Sequence, residues 1–158
     1  MNTHLIPISY PLDEKKFIEA YSQYASKAEA YSDPRIETPV EHWKILRFDP
    51  TRVQNILNDL NVEGSTSIYL LEKNKSLKPH KDYETQCSLN FILGDDEPAP
   101  VIIEGREYFY KQCLLNTQRL HWVKNGNRDR LLFKISIFDM SFEEVAQRIP
   151  LCFRAQQI

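Results

Sequence analysis

The sequence predicts a mainly β protein, in which short strands close into a barrel or sandwich with α-helices flanking them. After Gly64, seven short runs rich in β-branched and aromatic residues follow one another, separated by polar turn segments. The four glycines all lie in those separating segments, where a turn often needs positive φ. Strands this short and numerous usually close on themselves, because open sheet edges invite aggregation.

The chain length of 158 residues is enough for one domain with its own hydrophobic core. We therefore expect a single domain over 1–158. Its expected parts are an N-terminal helical support with one strand (1–63), a barrel core (64–140), and a C-terminal helix and tail (141–158).

Charge and composition argue against several functional classes. The formal net charge of -2 gives no general attraction to nucleic acid or anionic membranes. No apolar run approaches the roughly 18 residues that span a bilayer, and Met1–Pro11 has no basic-then-apolar leader. Three cysteines without zinc-site spacing indicate a reducing compartment. We expect a soluble cytoplasmic protein that acts on a small molecule, a protein or a peptide, in an oligomeric state that the sequence leaves open.

The first sixty residues predict two helices with one strand between them. Apolar and aromatic residues recur every three or four positions over Asp13–Tyr31, which lines one face of a helix that begins at an aspartate cap and ends at Ser32–Pro34. The run His42–Phe48 alternates as a strand does. Asp49 and Pro50 then begin a short helix with the sequence DPTRVQNILNDL.

The predicted strands of the barrel core are STSIYLLE, TQCSLNFIL, APVIIE, REYFYK, CLLNT, LHWV and RLLFKISIF. The segments between them, including NKSLKPHKD, are predicted to be connections. The chain ends with SFEEVAQRI, in which Ser141 and Glu144 stand at capping-box spacing and predict a last helix.

A histidine and an aspartate stand two residues apart just before the second predicted strand. If this segment is extended, His80 and Asp82 lie on the same face. His121 is the other histidine of the strand-rich region, and a closed barrel can return it to this pair. Two imidazoles and one carboxylate leave open positions on a metal, as non-haem Fe(II) oxygenases require for dioxygen. His4 and His42 lack a second ligand type at useful spacing and are expected at the surface.

An arginine opens the last predicted strand. Alternation places Arg130, Leu132, Lys134 and Ser136 on one face of this strand. A guanidinium at the start of an inward face is a fork that suits a carboxylate. Arg128, two residues earlier in the turn, is the competing candidate.

Together these residues resemble the pattern of a known superfamily. His80-Lys81-Asp82, then His121, then Arg130 followed by LLFKISIF are similar to the His-X-Asp…His…Arg pattern of Fe(II)- and 2-oxoglutarate-dependent oxygenases. The stretch LNTQRLHWVKNGNRDRLLFKISI is particularly similar to that of aspartyl/asparaginyl β-hydroxylase-like and related hydroxylases. The resemblance covers roughly Thr66–Phe138, about half of the chain.

The resemblance implies a fold, a reaction and roles for individual residues. The implied fold is a double-stranded β-helix, that is, a jelly-roll or cupin-like barrel with helices outside. The implied metal ligands and catalytic centre are His80, Asp82 and His121 for Fe(II), with Arg130 binding the distal carboxylate of the 2-oxoglutarate cosubstrate. Relatives place polar 2-oxoglutarate contacts on the strand that here carries Ser88 and Asn90. The implied reaction consumes dioxygen and hydroxylates a C–H bond.

One feature of the metal pattern departs from the narrower likeness. Aspartyl-type β-hydroxylases lack the metal-binding carboxylate that Asp82 supplies, so the resemblance favours the hydroxylase chemistry over that particular activity. Two other readings use the same residues. A cupin-like binding or structural protein keeps the barrel without turnover, and a zinc hydrolase or isomerase uses the same ligands but gives Arg130 no special purpose.

Overall fold

The computed structural model describes residues 3–30 and 43–155, which form eleven strands and three α-helices. The strands are β1 (Leu5–Pro7), β2 (Glu29–Ala30), β3 (Trp43–Phe48), β4 (Ser65–Leu71), β5 (Ser76–His80), β6 (Cys87–Leu93), β7 (Val101–Ile103), β8 (Arg106–Tyr108), β9 (Gln112–Leu115), β10 (His121–Lys124) and β11 (Arg130–Ile137). The helices are α1 (Glu14–Tyr24), α2 (Gln54–Leu60) and α3 (Phe142–Arg148). Within the described residues, none of the helices has the length and apolar character needed to cross a membrane.

Eight strands, β4 to β11, form the two sheets of a jelly roll. Counted from β4 as the first, they are ordered 6-3-8-1 in the larger sheet and 2-7-4-5 in the smaller one, with every neighbouring pair antiparallel. The chain thus passes repeatedly from one sheet to the other, which is the winding of a double-stranded β-helix. The predicted fold class is confirmed.

Alternation along the strands separates two apolar layers. Leu132 of β11 packs in the layer between the two sheets, together with residues of both sheets. Phe133 and Ile135, on the opposite face of the same strand, are buried in the second apolar layer, outside the larger sheet. Phe17 of α1 stacks on Phe133 with 4.5 Å between the ring centroids. The helices therefore cover the outer face of the larger sheet. The inner apolar layer lies between the two sheets.

The N-terminal segment differs from the sequence prediction in two ways. It contributes three strands to the larger sheet rather than one, because β1 pairs with β9 and β2 pairs with β3. Helix α1 ends at Tyr24 and is followed by a 3-10 turn at Ala25–Lys27, so the predicted helix is too long. The backbone beyond that turn pairs with β3 instead of continuing the helix. Tyr31, the predicted helix end at Ser32–Pro34, and His42 lie outside the described residues.

All seven predicted core strands overlap an observed strand, and the structure adds β5. This strand lies in NKSLKPHKD, which the sequence analysis assigned to a connection. The assignment was wrong because β5 is an edge strand, and an edge tolerates a proline and exposed lysines that a central strand does not.

The predicted helix starts are confirmed by their capping contacts. The carboxylates of Asp13 and Asp49 and the hydroxyl of Ser141 each accept a hydrogen bond from a backbone N–H of the following turn. These contacts satisfy N–H groups that have no partner within the helix.

His4 is less exposed than the sequence analysis expected. Its Nδ1 lies 2.7 Å from the Tyr108 hydroxyl and its Nε2 lies 3.2 Å from a Glu104 carboxylate oxygen. Its side chain is 16% exposed, and these contacts join the start of β1 to the β7–β8 hairpin.

Candidate metal centre

His80 and His121 form a cross-strand pair at one end of the smaller sheet. They stand opposite each other on β5 and β10, and their ring centroids lie 4.3 Å apart. The next register pair is Leu77 with Val123, so Lys78 and Pro79 of β5 stand opposite the single residue Trp122 of β10, which is a β-bulge. Leu77 faces the inner layer, and simple alternation would turn His80 outward. The bulge returns the imidazole to the inside.

Asp82 completes the group of three candidate ligands. Its backbone N–H donates to the carbonyl of Thr117 at 3.0 Å, which fixes the segment after β5. Its Oδ1 lies 3.4 Å from His80 Nε2 and 3.6 Å from His121 Nε2. The three ligand atoms lie within 4.8 Å of one another, so each can reach one metal ion. The structure thus brings together the three residues that the sequence predicted as ligands.

Both imidazoles are held in the tautomer that a metal requires. His80 Nδ1 donates to the Lys78 carbonyl at 2.7 Å, and His121 Nδ1 donates to the Arg119 carbonyl at 2.8 Å. Because a carbonyl only accepts, each Nδ1 carries a hydrogen, which leaves Nε2 as the nitrogen that can bind a metal. Both Nε2 atoms face the Asp82 carboxylate. Two nitrogen donors and one oxygen donor that converge in this way fit a divalent cation such as Fe(II) or zinc.

The protonation states also suit a metal. Burial lowers the pKa of His121 to about 4, although the charge of Asp82 opposes this shift. Burial raises the pKa of Asp82, but the charge of Lys134 and the contact with His80 lower it by a larger amount, so the pKa lies well below its usual value. At neutral pH, His121 is therefore neutral and Asp82 is ionised, which are the forms that bind metal.

Arg130 is 3% exposed and lies on the inward face of β11. Its guanidinium donates to the Ala99 carbonyl at 2.6 Å and to the Tyr110 hydroxyl at 3.0 Å. Burial raises the pKa of Tyr110, so this hydroxyl stays protonated. The competing Arg128 is 60% exposed at its side chain and pairs with Asp95 at 2.7 Å. Of these two arginines, Arg130 is the one that faces the interior.

Asn90 and Ser88 lie on β6, which neighbours β11 in the larger sheet. The Ser88 hydroxyl donates to Asn90 Oδ1 at 2.8 Å, and Asn90 Nδ2 donates to the Tyr110 hydroxyl at 3.3 Å. Both residues are buried, and they connect to Arg130 through Tyr110. From the sequence, Tyr110 is predicted only as part of a strand, because no local pattern distinguishes it from a residue of the barrel wall.

Lys134 is a functional candidate that the sequence analysis placed on the Arg130 face but did not select. Its Nζ lies 3.6 Å from Asp82 Oδ2 and 5.2 Å from the Tyr69 ring centroid. It lies four positions after Arg130, which is about 13 Å at the rise of a strand. The sequence signal was a cation at an inward-facing strand position.

Comparison with known proteins gives likenesses of fold. No family model matches the chain, and no curated protein matches it. Among solved structures, a prolyl-4-hydroxylase from Pseudomonas putida aligns with a TM-score of 0.61 at 13% identity, covering 87% of this chain and 95% of that one. An oxidoreductase of the 2OG-Fe(II) oxygenase family from Burkholderia pseudomallei aligns with a TM-score of 0.52 at 13% identity, covering 86% and 88%.

A third structure with the same fold has a different activity. A DMSP lyase from Ruegeria pomeroyi aligns with a TM-score of 0.56 at 9% identity, covering 85% of this chain and 68% of that one. At such identities the similarity establishes the jelly-roll fold, and function has to be argued from the site itself.

Proposed function

We propose that the protein is an Fe(II)- and 2-oxoglutarate-dependent dioxygenase that hydroxylates a C–H bond of a small-molecule, protein or peptide substrate. One observation carries this proposal. The jelly roll holds a His-Asp-His group and a buried arginine on its inner side, and that arginine donates to a carbonyl and a hydroxyl, so a carboxylate cosubstrate would pair its charge. Oxygenases are among the proteins that share the fold.

The ligand residues would hold the metal through three atoms. His80 and His121 bind through Nε2, because their Nδ1 atoms are engaged by backbone carbonyls. Asp82 binds through Oδ1, while its Oδ2 faces Lys134. Three protein ligands leave positions for a cosubstrate and dioxygen.

Arg130 would bind the distal carboxylate of 2-oxoglutarate. The inner layer around it is apolar, which strengthens a charge-assisted pair. Tyr110 and the Ala99 carbonyl orient the guanidinium, and Asn90 and Ser88 extend this polar chain. When bound, Fe(II) and 2-oxoglutarate would supply the activation of dioxygen and the oxidation of the C–H bond. The protein's own contribution is to bind, orient and exclude water.

Asp82 favours this general class over the aspartyl-type β-hydroxylases. Its carboxylate stands within ligand distance of both histidines, whereas that branch uses no such carboxylate. We therefore propose the oxygenase class and leave the substrate of the β-hydroxylases aside.

A second candidate function is a cupin-like binding protein without turnover. The contact between Lys134 and Asp82 favours it, because the ammonium group balances the carboxylate charge even when no cation is bound. If Lys134 balances the charge of Asp82 in this way, the buried carboxylate has a partner without a catalytic metal.

The two candidates differ in a simple spectroscopic experiment. Anaerobic addition of Fe(II) and 2-oxoglutarate should produce the weak visible charge-transfer band of a chelated ferrous complex. Screening candidate substrates for succinate release then identifies turnover. A protein that binds iron but shows no band and no succinate would support the binding protein, and a protein that prefers zinc and ignores 2-oxoglutarate would indicate a hydrolase or isomerase.

A further inference from the structure

We propose that Lys134 is a positioning residue, which holds one oxygen of the Asp82 carboxylate so that only the other oxygen binds the metal. The carboxylate is thereby kept from binding through both oxygens, and one more position on the metal stays open. The inference rests on the proposed oxygenase function, because it explains how the same ligand group leaves room for both the cosubstrate and dioxygen.

The two oxygens of the Asp82 carboxylate face different groups. Oδ1 lies 3.4 Å from His80 Nε2 and 3.6 Å from His121 Nε2, whereas Oδ2 lies 3.6 Å from Lys134 Nζ. A carboxylate can bind one metal ion through a single oxygen or through both. The ammonium group beside Oδ2 favours the first mode, because a cation that reached Oδ2 would have to approach another positive charge.

The backbone of Asp82 is fixed without the help of Lys134. Its N–H donates to the Thr117 carbonyl at 3.0 Å, and its carbonyl accepts from Gln118 Nε2 at 3.1 Å. Rotation of the side chain is therefore the freedom that remains for Lys134 to restrict. The last torsion of an aspartate has broad minima, so contacts on both oxygens select one orientation of the carboxylate.

Lys134 stands on a central strand of the larger sheet. It lies opposite Ser67 of β4 on one side of β11 and opposite Asn90 of β6 on the other. Its Nζ lies 5.2 Å from the centroid of the Tyr69 ring, whose face attracts a cation. Asp82 follows β5 of the smaller sheet. An ammonium group held by one sheet thus orients a candidate ligand carried by the other.

The orientation of Asp82 matters because the proposed reaction needs open positions on the metal. In an octahedral complex, three protein donor atoms leave three positions. In the proposed function, 2-oxoglutarate fills two of these positions and dioxygen needs the third. A carboxylate bound through both oxygens would fill the third position. A cation that only balances the charge of Asp82 would not have to face one particular oxygen.

The test compares two substitutions of Lys134 with a matched control. Lys134→Met keeps the length of the side chain without its charge, and Lys134→Arg keeps the charge and the donors. Lys81→Met is the control, because it removes the same charge from an exposed side chain that is next to Asp82 in the chain. Circular dichroism of the metal-loaded proteins checks that all variants are folded.

Two measurements report the open positions. The first is the visible absorption of the Co(II)-loaded protein, which depends on the number and arrangement of the atoms that bind Co(II). The second is anaerobic titration of nitric oxide, an analogue of dioxygen, into protein loaded with Fe(II) and 2-oxoglutarate, followed by electron paramagnetic resonance. A third titration, of 2-oxoglutarate alone into Fe(II)-loaded wild type, tests the proposed function separately.

We expect Lys134→Met to change the Co(II) spectrum and to weaken nitric oxide binding about tenfold or more, which is about 1.4 kcal/mol, because Oδ2 becomes free to fill the open position. Lys134→Arg should restore both readouts toward the wild type, and Lys81→Met should leave both unchanged. The positioning role is overturned if Lys134→Met matches the wild type in both readouts, or if Lys81→Met changes them as much. If the Co(II) spectra behave as expected but the wild type binds no 2-oxoglutarate, the oxygenase proposal fails while the positioning role stands.

Discussion

The substitution Arg130→Ala tests the proposed oxygenase function against the two alternatives, a cupin-like binding protein and a zinc hydrolase or isomerase. The guanidinium is 3% exposed and donates to the Ala99 carbonyl and the Tyr110 hydroxyl. Without it, a bound 2-oxoglutarate would bury its distal carboxylate unpaired, which costs about 2–5 kcal/mol. At about 1.4 kcal/mol per tenfold change in affinity, 2-oxoglutarate should bind roughly thirtyfold more weakly or worse.

The metal should be little affected by the same substitution. Arg130 lies four strand residues from Lys134, the residue of β11 that contacts Asp82, which is about 13 Å along the strand. Anaerobic calorimetry of 2-oxoglutarate binding to the Fe(II)-loaded protein measures the cosubstrate, and a separate Fe(II) titration measures the metal. Circular dichroism checks that the variant is folded.

Arg128→Ala is the control, because Arg128 is 60% exposed at its side chain and pairs with Asp95 rather than facing the interior. It should change 2-oxoglutarate affinity much less than Arg130→Ala. Equal affinity in the wild type and Arg130→Ala would show that the carboxylate binds elsewhere. If the wild type bound no 2-oxoglutarate, the cupin-like binding function would replace the oxygenase.

Three further outcomes test the metal site and the fold. His80→Ala should abolish stoichiometric Fe(II) binding, and tight iron binding by this variant in a metal titration would refute the ligand assignment. Asp82→Ala should retain some iron on the two imidazoles but lose hydroxylation. The pKa of His121 falls from 6.5 to about 4 on folding, so the unfolded state binds the extra proton and stability is lost as pH drops through this window. The loss should reach about 3 kcal/mol in the metal-free protein, measured by urea unfolding between pH 7 and 4, and His121→Gln should remove this part of the slope. Gly64→Ala would place a Cβ against a carbonyl of β11 and should lower the free energy of unfolding by about 1–3 kcal/mol, measured by thermal unfolding. Gly126→Ala is the control and should be neutral, because its Cβ would meet nothing within 4 Å. Equal stability of the two variants would contradict the close approach at Gly64.

The core strands and the proximity of His80 to Asp82 could be predicted because both depend on local signals. Alternating runs and their separators mark the core strands, and residues at fixed spacing, such as His80 with Asp82, survive as neighbours in the fold. The distant His121 was predictable only through the resemblance and the expectation that a barrel closes. Its place opposite His80 depends on pairing between β5 and β10, which no local pattern specifies.

What the sequence did not predict depends on non-local contacts. The bulge at Lys78–Pro79 places His80 on the same face as Leu77, which simple alternation would not do, and it is defined by the pairing of β5 with β10. The roles of Tyr110 and Lys134 arise from contacts with residues 20 and 52 positions away in the chain, namely Arg130 and Asp82. Edge strands such as β1 and β2 are too short to show a period, and their partners decide whether they form.

The edges of the two sheets bear on how the protein behaves at high concentration. β5 is the edge of the smaller sheet, and it presents Pro79, which has no N–H to offer, beside the exposed Lys78. At the β1 edge of the larger sheet, Ile8 bridges to Arg154 and the Ser9 N–H donates to the Phe153 carbonyl at 2.7 Å. A strand from another molecule would have to displace these contacts to pair with β1, or approach a cation to pair with β5. The lysine-rich segment that carries the candidate ligand His80 therefore also disfavours edge-to-edge pairing of molecules at β5.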